Sequence, residues 1–386
     1  MVSTAADLPR SSGQRRSRTG RPPRGGIRSG ERLSGWLFVA PSVGLILLFL
    51  AVPVVMALWV SFTSWGGIGS PFSASTPSAG ISNYANLFGQ DGLVRQDFMT
   101  SIRNIFYYTL LVVPAQTTLA LFLALVVNTK MLKAKGFFRA AFYFPSITSS
   151  VAITTVFIFM FSGGAINGLL KIVGITGPQW LDDAHGLVHL ALEAVGLVDP
   201  NHPPQGLVGH EFLSLTWWDW LAGPSVTLTT LIILVVWTTS GTFMLMYLAA
   251  LQGIPVDVEE ASLLDGANAW QRLRHITVPM LKPTTFLVVT LGLIGSWQVF
   301  DQVFIATQGG PDKTTLSPAY LSYTYGFANK SWGPAAAMSF VLFAIIIVFT
   351  LVQRFIMRDK DAIAERRAER RTKGRIVATA ARADGR

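Results

Sequence analysis

Six blocks of roughly twenty apolar residues, near 36–59, 105–127, 141–161, 226–251, 285–305 and 335–357, constrain this chain more than any other feature. A helix rises about 1.5 Å per residue and the hydrocarbon of a bilayer is about 30 Å thick, so each block can cross as a helix with a little tilt. The expectation is an all-α membrane protein with six transmembrane helices. Only 13% of the 386 residues are charged, against about 25% in soluble domains, which sets an ordinary soluble enzyme aside. The first block is longer than the apolar core of a signal peptide, about 7 to 15 residues, and no small-residue cleavage site follows it. It is read as a membrane anchor.

Basic residues orient the bundle. With the amino terminus inside, 26 of the 31 Lys and Arg fall on the cytoplasmic side, in the arm, in 130–139, in 272–282 and from Arg354 onward. The other five, Arg95, Arg103, Lys171, Lys313 and Lys330, fall in or beside outer connections. Both termini are therefore expected in the cytoplasm. Residues 1–34 read as a disordered basic cytoplasmic arm, because eight arginines alternate with Ser, Gly and Pro and nothing apolar recurs. Its expected role is to hold that end inside rather than to bind nucleic acid. Residues 35–357 form the six-helix domain, and 358–386 a charged cytoplasmic tail at near-helical spacing.

The connection 162–225 is an extended extracytoplasmic insert, acidic through Asp182, Asp183, Glu193, Asp199 and Glu211 against Lys171 alone. Trp217, Trp218 and Trp220 in it suit the headgroup level of a membrane. The inner loop 253–283 carries finer signals. Pro255 suits a first helical turn, and Asp257, Glu259 and Glu260 put negative charge where the helix dipole favours it. Gly266 can take the left-handed conformation that ends this helix. Asn268, with Gln271 three residues on, has the spacing of a capping box opening a second helix, which Pro279 closes. A regular period there puts Ala267, Trp270, Leu273 and Thr277 on one side. By amphipathicity alone this is equally an interfacial helix with Trp270 dipping into membrane lipids.

The order Glu260-Ala261-Ser262, Asp265-Gly266, nine residues, then Ile276-Thr277-Val278-Pro279 closely resembles the EAA signature of permease subunits of bacterial ATP-binding-cassette importers. Ser262 stands where that signature usually has Ala, and Val278 where it usually has Leu. Leu37 to Pro41, Ile254-Pro255, and Thr307 to Pro311 with Thr315 resemble carbohydrate-uptake permeases, more narrowly the maltose and glycerol-phosphate type of first permease. The likeness runs from Trp36 to about Arg358, and the long insert departs from it.

The resemblance implies a type I importer fold in the bacterial inner membrane, forming half of a translocation pathway. It implies a second homologous permease, a dimeric cytoplasmic ATPase, an extracytoplasmic sugar-binding protein and a sugar substrate. Glu260 would ion-pair with the ATPase, Gly266 would turn the backbone tightly, and Trp270 with Leu273 would fill an apolar groove. Ala261, Ser262, Asp265, Ala267, Ile276 and Pro279 complete the coupling set. No stretch reads G-x-x-x-x-G-K-[ST], so no cofactor is expected on this chain, and ATP with Mg would be used by the partner ATPase.

Span five offers Ser296, Gln298, Asp301 and Gln302 as a substrate pathway, since sugars need a few polar groups among apolar walls. The same groups could instead stitch two permeases together by interhelical hydrogen bonds. The alternative function is a gradient-driven secondary transporter of a small polar solute. Asp301, the one ionisable residue well inside a block, would then carry the coupling ion. An enzyme is not expected: there is no cysteine, and His185, His189, His202, His210 and His275 lack metal-ligand spacing.

Overall fold

The computed structural model describes residues 29–89, 92–129, 132–198 and 204–357. Most of the basic arm and all of the 358–386 tail lie outside the described residues. The chain divides into two compact units, Met1–Met56 and Ala57–Arg386. In the first, helix Ser29–Ile46 leads into a π turn at Leu47–Ala51 and returns to α-helix from Val52. Pro53 gives the reason: it has no N–H for the carbonyl four residues back, and the Val52 N–H reaches Leu47 instead.

Among the described residues, five helices are long and apolar enough to cross a membrane: Ser34–Val60, Leu93–Asn128, Val226–Gln252, Lys282–Ala306 and Trp332–Ile356. The third expected span, 141–161, is different. It consists of helices Lys135–Ile147 and Ser150–Ser162, bent by 98°, so the sixth crossing exists only if this pair is one broken span. The cause is local chemistry that periodicity does not read. Pro145 removes a helical donor, Thr148 turns its hydroxyl back to the Phe144 carbonyl at 2.9 Å, and Thr148 and Ser149 take extended dihedrals.

Two further differences concern span ends. The second span is 36 residues long and starts at Leu93, because Phe98 and Met99 extend it into an outer apolar cluster with Leu316, Leu321 and Met338. The fifth pauses after Trp297 and resumes as the short helix Asp301–Ala306. Asp301 therefore begins a helix instead of sitting within one.

Span four, Val226–Gln252, is the centre of the second unit, with 56% of its most apolar stretch buried. One cluster joins it to spans two, five and six through Tyr108, Val112, Leu231, Trp297 and Leu342. Another, nearer the inner end, joins Ala120, Ala124, Met244, Tyr247, Leu281 and Val288. The bent pair also reaches span four. Ser146 Oγ donates to the Thr238 carbonyl at 2.5 Å and accepts from the Thr242 N–H at 3.1 Å, groups one helical turn apart.

Candidate functional site

The inner loop is built by two local devices. Helix Val256–Leu264 ends at Gly266, whose φ of +76° is left-handed. The Ala267 N–H bonds the Ser262 carbonyl at 3.0 Å and the Gly266 N–H that of Leu263 at 3.1 Å, the paired bonds of a Schellman stop. Open space surrounds the Gly266 Cα, so its backbone conformation alone demands glycine. Asn268 then opens the next helix: its Oδ1 accepts from the Gln271 N–H, and Gln271 Oε1 accepts from the Asn268 N–H, both at 2.8 Å. This is a complete capping box.

The rest of the second helix differs from a regular period. Only Ala269–Arg272 is α-helical; Leu273–Thr277 is a π turn in which the Val278 N–H reaches Leu273, and α-helix resumes through Pro279. As at Pro53, a proline without an N–H comes after a widened turn. A step of four residues within the π turn is close to one full turn, so Leu273 and Thr277 remain on one side, and of the expected face of Ala267, Trp270, Leu273 and Thr277 it is Trp270 that stands out to solvent. Trp270 stands 66% exposed, while Ala267, Leu273, Ile276 and Thr277 are half-buried. Pro279 does not close the helix; it lies within the entry to span five.

Ala261, Ser262, Asp265, Ala267 and Ile276 come together around a shallow cavity of about 430 Å³. Ser262 is buried and donates to the Glu259 carbonyl at 2.6 Å, so the hydroxyl in place of the usual methyl is satisfied within its own helix. Glu260 is exposed. Leu264, 90% exposed at the tip, is a residue that motif spacing does not single out, although the Leu263-Leu264 pair between the acidic run and the glycine is an apolar signal.

The four span-five residues also meet. Ser296, Gln298, Asp301 and Gln302 line one cavity of about 260 Å³ beneath the interruption of the fifth span. Ser296 is buried and donates to the Gly292 carbonyl at 2.7 Å. Gln298 and Asp301 are exposed at the opening. Gln302 Nε2 donates to Ser150 Oγ at 3.3 Å, tying this wall to the elbow of the bent pair. Span four contributes Thr239 and Phe243, and Phe300 adds an aromatic wall. Tyr108 and Gln116 of span two line it as well. No sequence signal marks them, since isolated polar residues in an apolar block look alike whatever they face.

On the outer side the insert folds onto itself. Trp218 stacks on His189 with ring centroids 3.7 Å apart, and Trp217 stacks on Phe212 at 5.9 Å. Trp220 Nε1 donates to the Phe212 carbonyl at 3.0 Å. The tryptophans expected at a headgroup belt thus pack a cap. Arg103 and Tyr107 hold it to span two by donating to the Asp219 and Trp220 carbonyls.

Comparison with known proteins shows the family and the fold. A family model described as "Binding-protein-dependent transport system inner membrane component" matches residues 94–361. The lactose transport system permease of Rhizobium radiobacter is 30% identical over 332 residues, 85% of this chain and 95% of that one. The trehalose/maltose transport system permease of Thermococcus litoralis is 28% identical over 83% of this chain and 92% of its own. Among solved structures, a chain of a bacterial ABC transporter importing the acidic polysaccharide alginate superposes with a TM-score of 0.61. It is 20% identical, over 85% of this chain and 97% of that one, and so speaks to the fold.

Proposed function

Since the chain belongs to the family of inner membrane components of binding-protein-dependent transport systems, we propose that it is the permease subunit of an ATP-driven sugar importer. It forms half of the translocation pathway beside a second homologous permease. A dimeric cytoplasmic ATPase grips the loop around Gly266, and an extracytoplasmic sugar-binding protein delivers substrate. ATP and Mg are used by that ATPase.

The observation that carries this reading is the loop itself. A Schellman stop at Gly266 followed directly by the Asn268 capping box makes a rigid two-helix knob. The knob exposes Glu260, Leu264 and Trp270. A rigid, partly apolar knob suits insertion into a partner's groove, where a few buried apolar and aromatic anchors dominate binding. Its movement would bias the bundle between two states through a differential fit to the ATPase. The sugar assignment is supported by relatives that transport lactose and trehalose/maltose. The cavity is supported as the pathway by its mix of side-chain amides, hydroxyls and aromatic wall.

The test uses the whole complex in proteoliposomes with radiolabelled lactose, maltose and trehalose. Uptake should require ATP and the binding protein, and should collapse in Gly266→Trp with the amount of permease unchanged. Uptake that runs without nucleotide, or that a protonophore abolishes at constant ATP, would overturn the reading in favour of a gradient-driven carrier.

A further inference from the structure

Resting on that reading of the cavity, we propose that Tyr108 and Gln116 of the second span are substrate-binding residues that each read a hydroxyl of a neutral sugar. Both are 1% exposed, and both line the cavity. The Tyr108 hydroxyl and the Gln116 amide nitrogen lack a hydrogen-bond partner within the protein. Buried polar groups are paired in the large majority of cases, so an orphan in an interior asks for a reason. Here two residues of one helix that line one cavity each carry such an orphan.

Gln116 is held in position. Its Oε1 lies 2.7 Å from Thr239 Oγ1, which also lies 2.7 Å from the Val235 carbonyl. A threonine hydroxyl has one proton to donate. If Thr239 gives it to Val235, the Gln116 amide turns over and donates to Thr239, leaving its oxygen as the free end; otherwise the free end is the nitrogen. In either orientation one end of the amide is fixed and the other is unpaired. That free end lies against Gly292, where an added Cβ would run into it, and the Phe243 ring stands 3.7 Å from the same point. The missing side chain at Gly292 is what makes room for the amide.

The chemistry of the free ends selects the ligand class. A phenol and a carboxamide are neutral and pair with a group that can both donate and accept. A sugar hydroxyl does both and so suits either orientation of the amide, whereas a buried carboxylate or ammonium would find no opposite charge on a phenol or a carboxamide to balance its own. Eight residues separate Tyr108 from Gln116, about 12 Å along the helix axis, so they address two different hydroxyls. A site built to hydrogen-bond a hydroxyl rejects the analogue that lacks it, because its own groups are then left unpaired. The second span thus sets which hydroxyl pattern passes, while span five supplies the opposite wall.

The experiment measures uptake by the reconstituted complex of whichever sugar of the lactose, maltose and trehalose panel is transported, beside its monodeoxy analogues. Tyr108→Phe removes one oxygen, and Gln116→Met keeps the length without the amide. Each should lower uptake of the parent sugar about tenfold, the loss of one such hydrogen bond. For one analogue per residue, wild type should lose the same factor and the matching variant nothing further. Gly292→Ala should copy the Gln116→Met pattern by displacing the amide. Unchanged uptake in the variants, or an equal fractional loss for parent and all analogues, would overturn the proposal. ATP-independent uptake by the wild-type complex would defeat the importer reading, while the variant pattern still decides this one.

Discussion

Gly241 on span four meets Phe142 of the bent pair backbone to backbone: a Cβ on Gly241 would collide with the Phe142 carbonyl oxygen and lie 2.6 Å from Ser146 Oγ. The collision is with backbone, which cannot swing aside as a side chain can. Gly241→Ala should therefore destabilise the packing of these two elements by roughly 1–3 kcal/mol, the usual range for overpacking. Detergent melting of the purified protein checks this, and an unchanged midpoint would show that the contact can relax freely.

At Gly266 the constraint is conformational, with no neighbour to blame. A left-handed residue other than glycine costs about 1–2 kcal/mol, and asparagine suffers least. Gly266→Asn should keep most ATP-driven uptake and Gly266→Val should lose most of it, at equal expression. Comparable uptake in the two variants would show that the Schellman stop does not set the loop's shape.

Leu264 stands at the knob's tip, 90% exposed. If it enters the ATPase groove, Leu264→Asp should weaken co-purification of the ATPase and uptake together, by about tenfold for a loss of about 1.4 kcal/mol. The melting of the permease alone should stay put, since the side chain touches little of its own chain. Loss of melting temperature without loss of the partner would contradict this.

Asn104 secures the outer loop that follows span five. Its Nδ2 donates to the Lys313 and Leu316 carbonyls at 2.8 and 3.1 Å. Removing it strands the Leu316 carbonyl, while the Lys313 carbonyl keeps the Leu316 N–H at 3.2 Å, and the loss is about 1–3 kcal/mol for a buried unsatisfied group. The nearby Lys313–Asp97 pair, 2.6 Å long, has a lysine that is 54% exposed and is worth about 0–1 kcal/mol. Asn104→Ala should therefore lower the melting temperature more than Asp97→Asn does, and should speed proteolysis within 307–317. The reverse order would mean the ion pair holds the loop.

The outer cap should weaken in acid. His189 is buried beneath the Trp218 ring, and this burial pushes its pKa below the ordinary value of 6.5, against the opposing pull of a backbone hydrogen bond at Trp218 and the charge of Asp219. Below pH 6.5 the unfolded cap binds the proton more readily than the folded one. Stability is thus full above that pH, falls as pH drops through it, and levels off below the folded pKa. Melting at pH 7.5 and 5.5 should differ more for the wild type than for His189→Phe, which keeps the stack and cannot titrate. Equal pH responses would clear His189.

Features that depend on neighbours in sequence are legible in the chain itself. Five of the six long apolar blocks, the glycine at 266 and the Asn268–Gln271 cap are local matters, and each is present where periodicity and capping chemistry put it. The elbow at Thr148–Ser149 and the π turn before Pro279 are not legible, because a proline's effect depends on which donor replaces the one it removes. The gathering of Ser296, Gln298, Asp301 and Gln302 is foreshadowed by one helix's composition. Tyr108 and Gln116 belong to another helix, and only three-dimensional proximity brings them to that wall.

The 98° elbow between Lys135–Ile147 and Ser150–Ser162 has a consequence for the surrounding bilayer. Peptide groups at a sharp bend lose their helical partners, and acyl chains supply none. The inner side of the turn, where Gln302 already reaches Ser150, must stay out of contact with fatty tails. A map of annular lipid around this protein should show a notch there, a dry seam of protein against protein in an otherwise greasy perimeter.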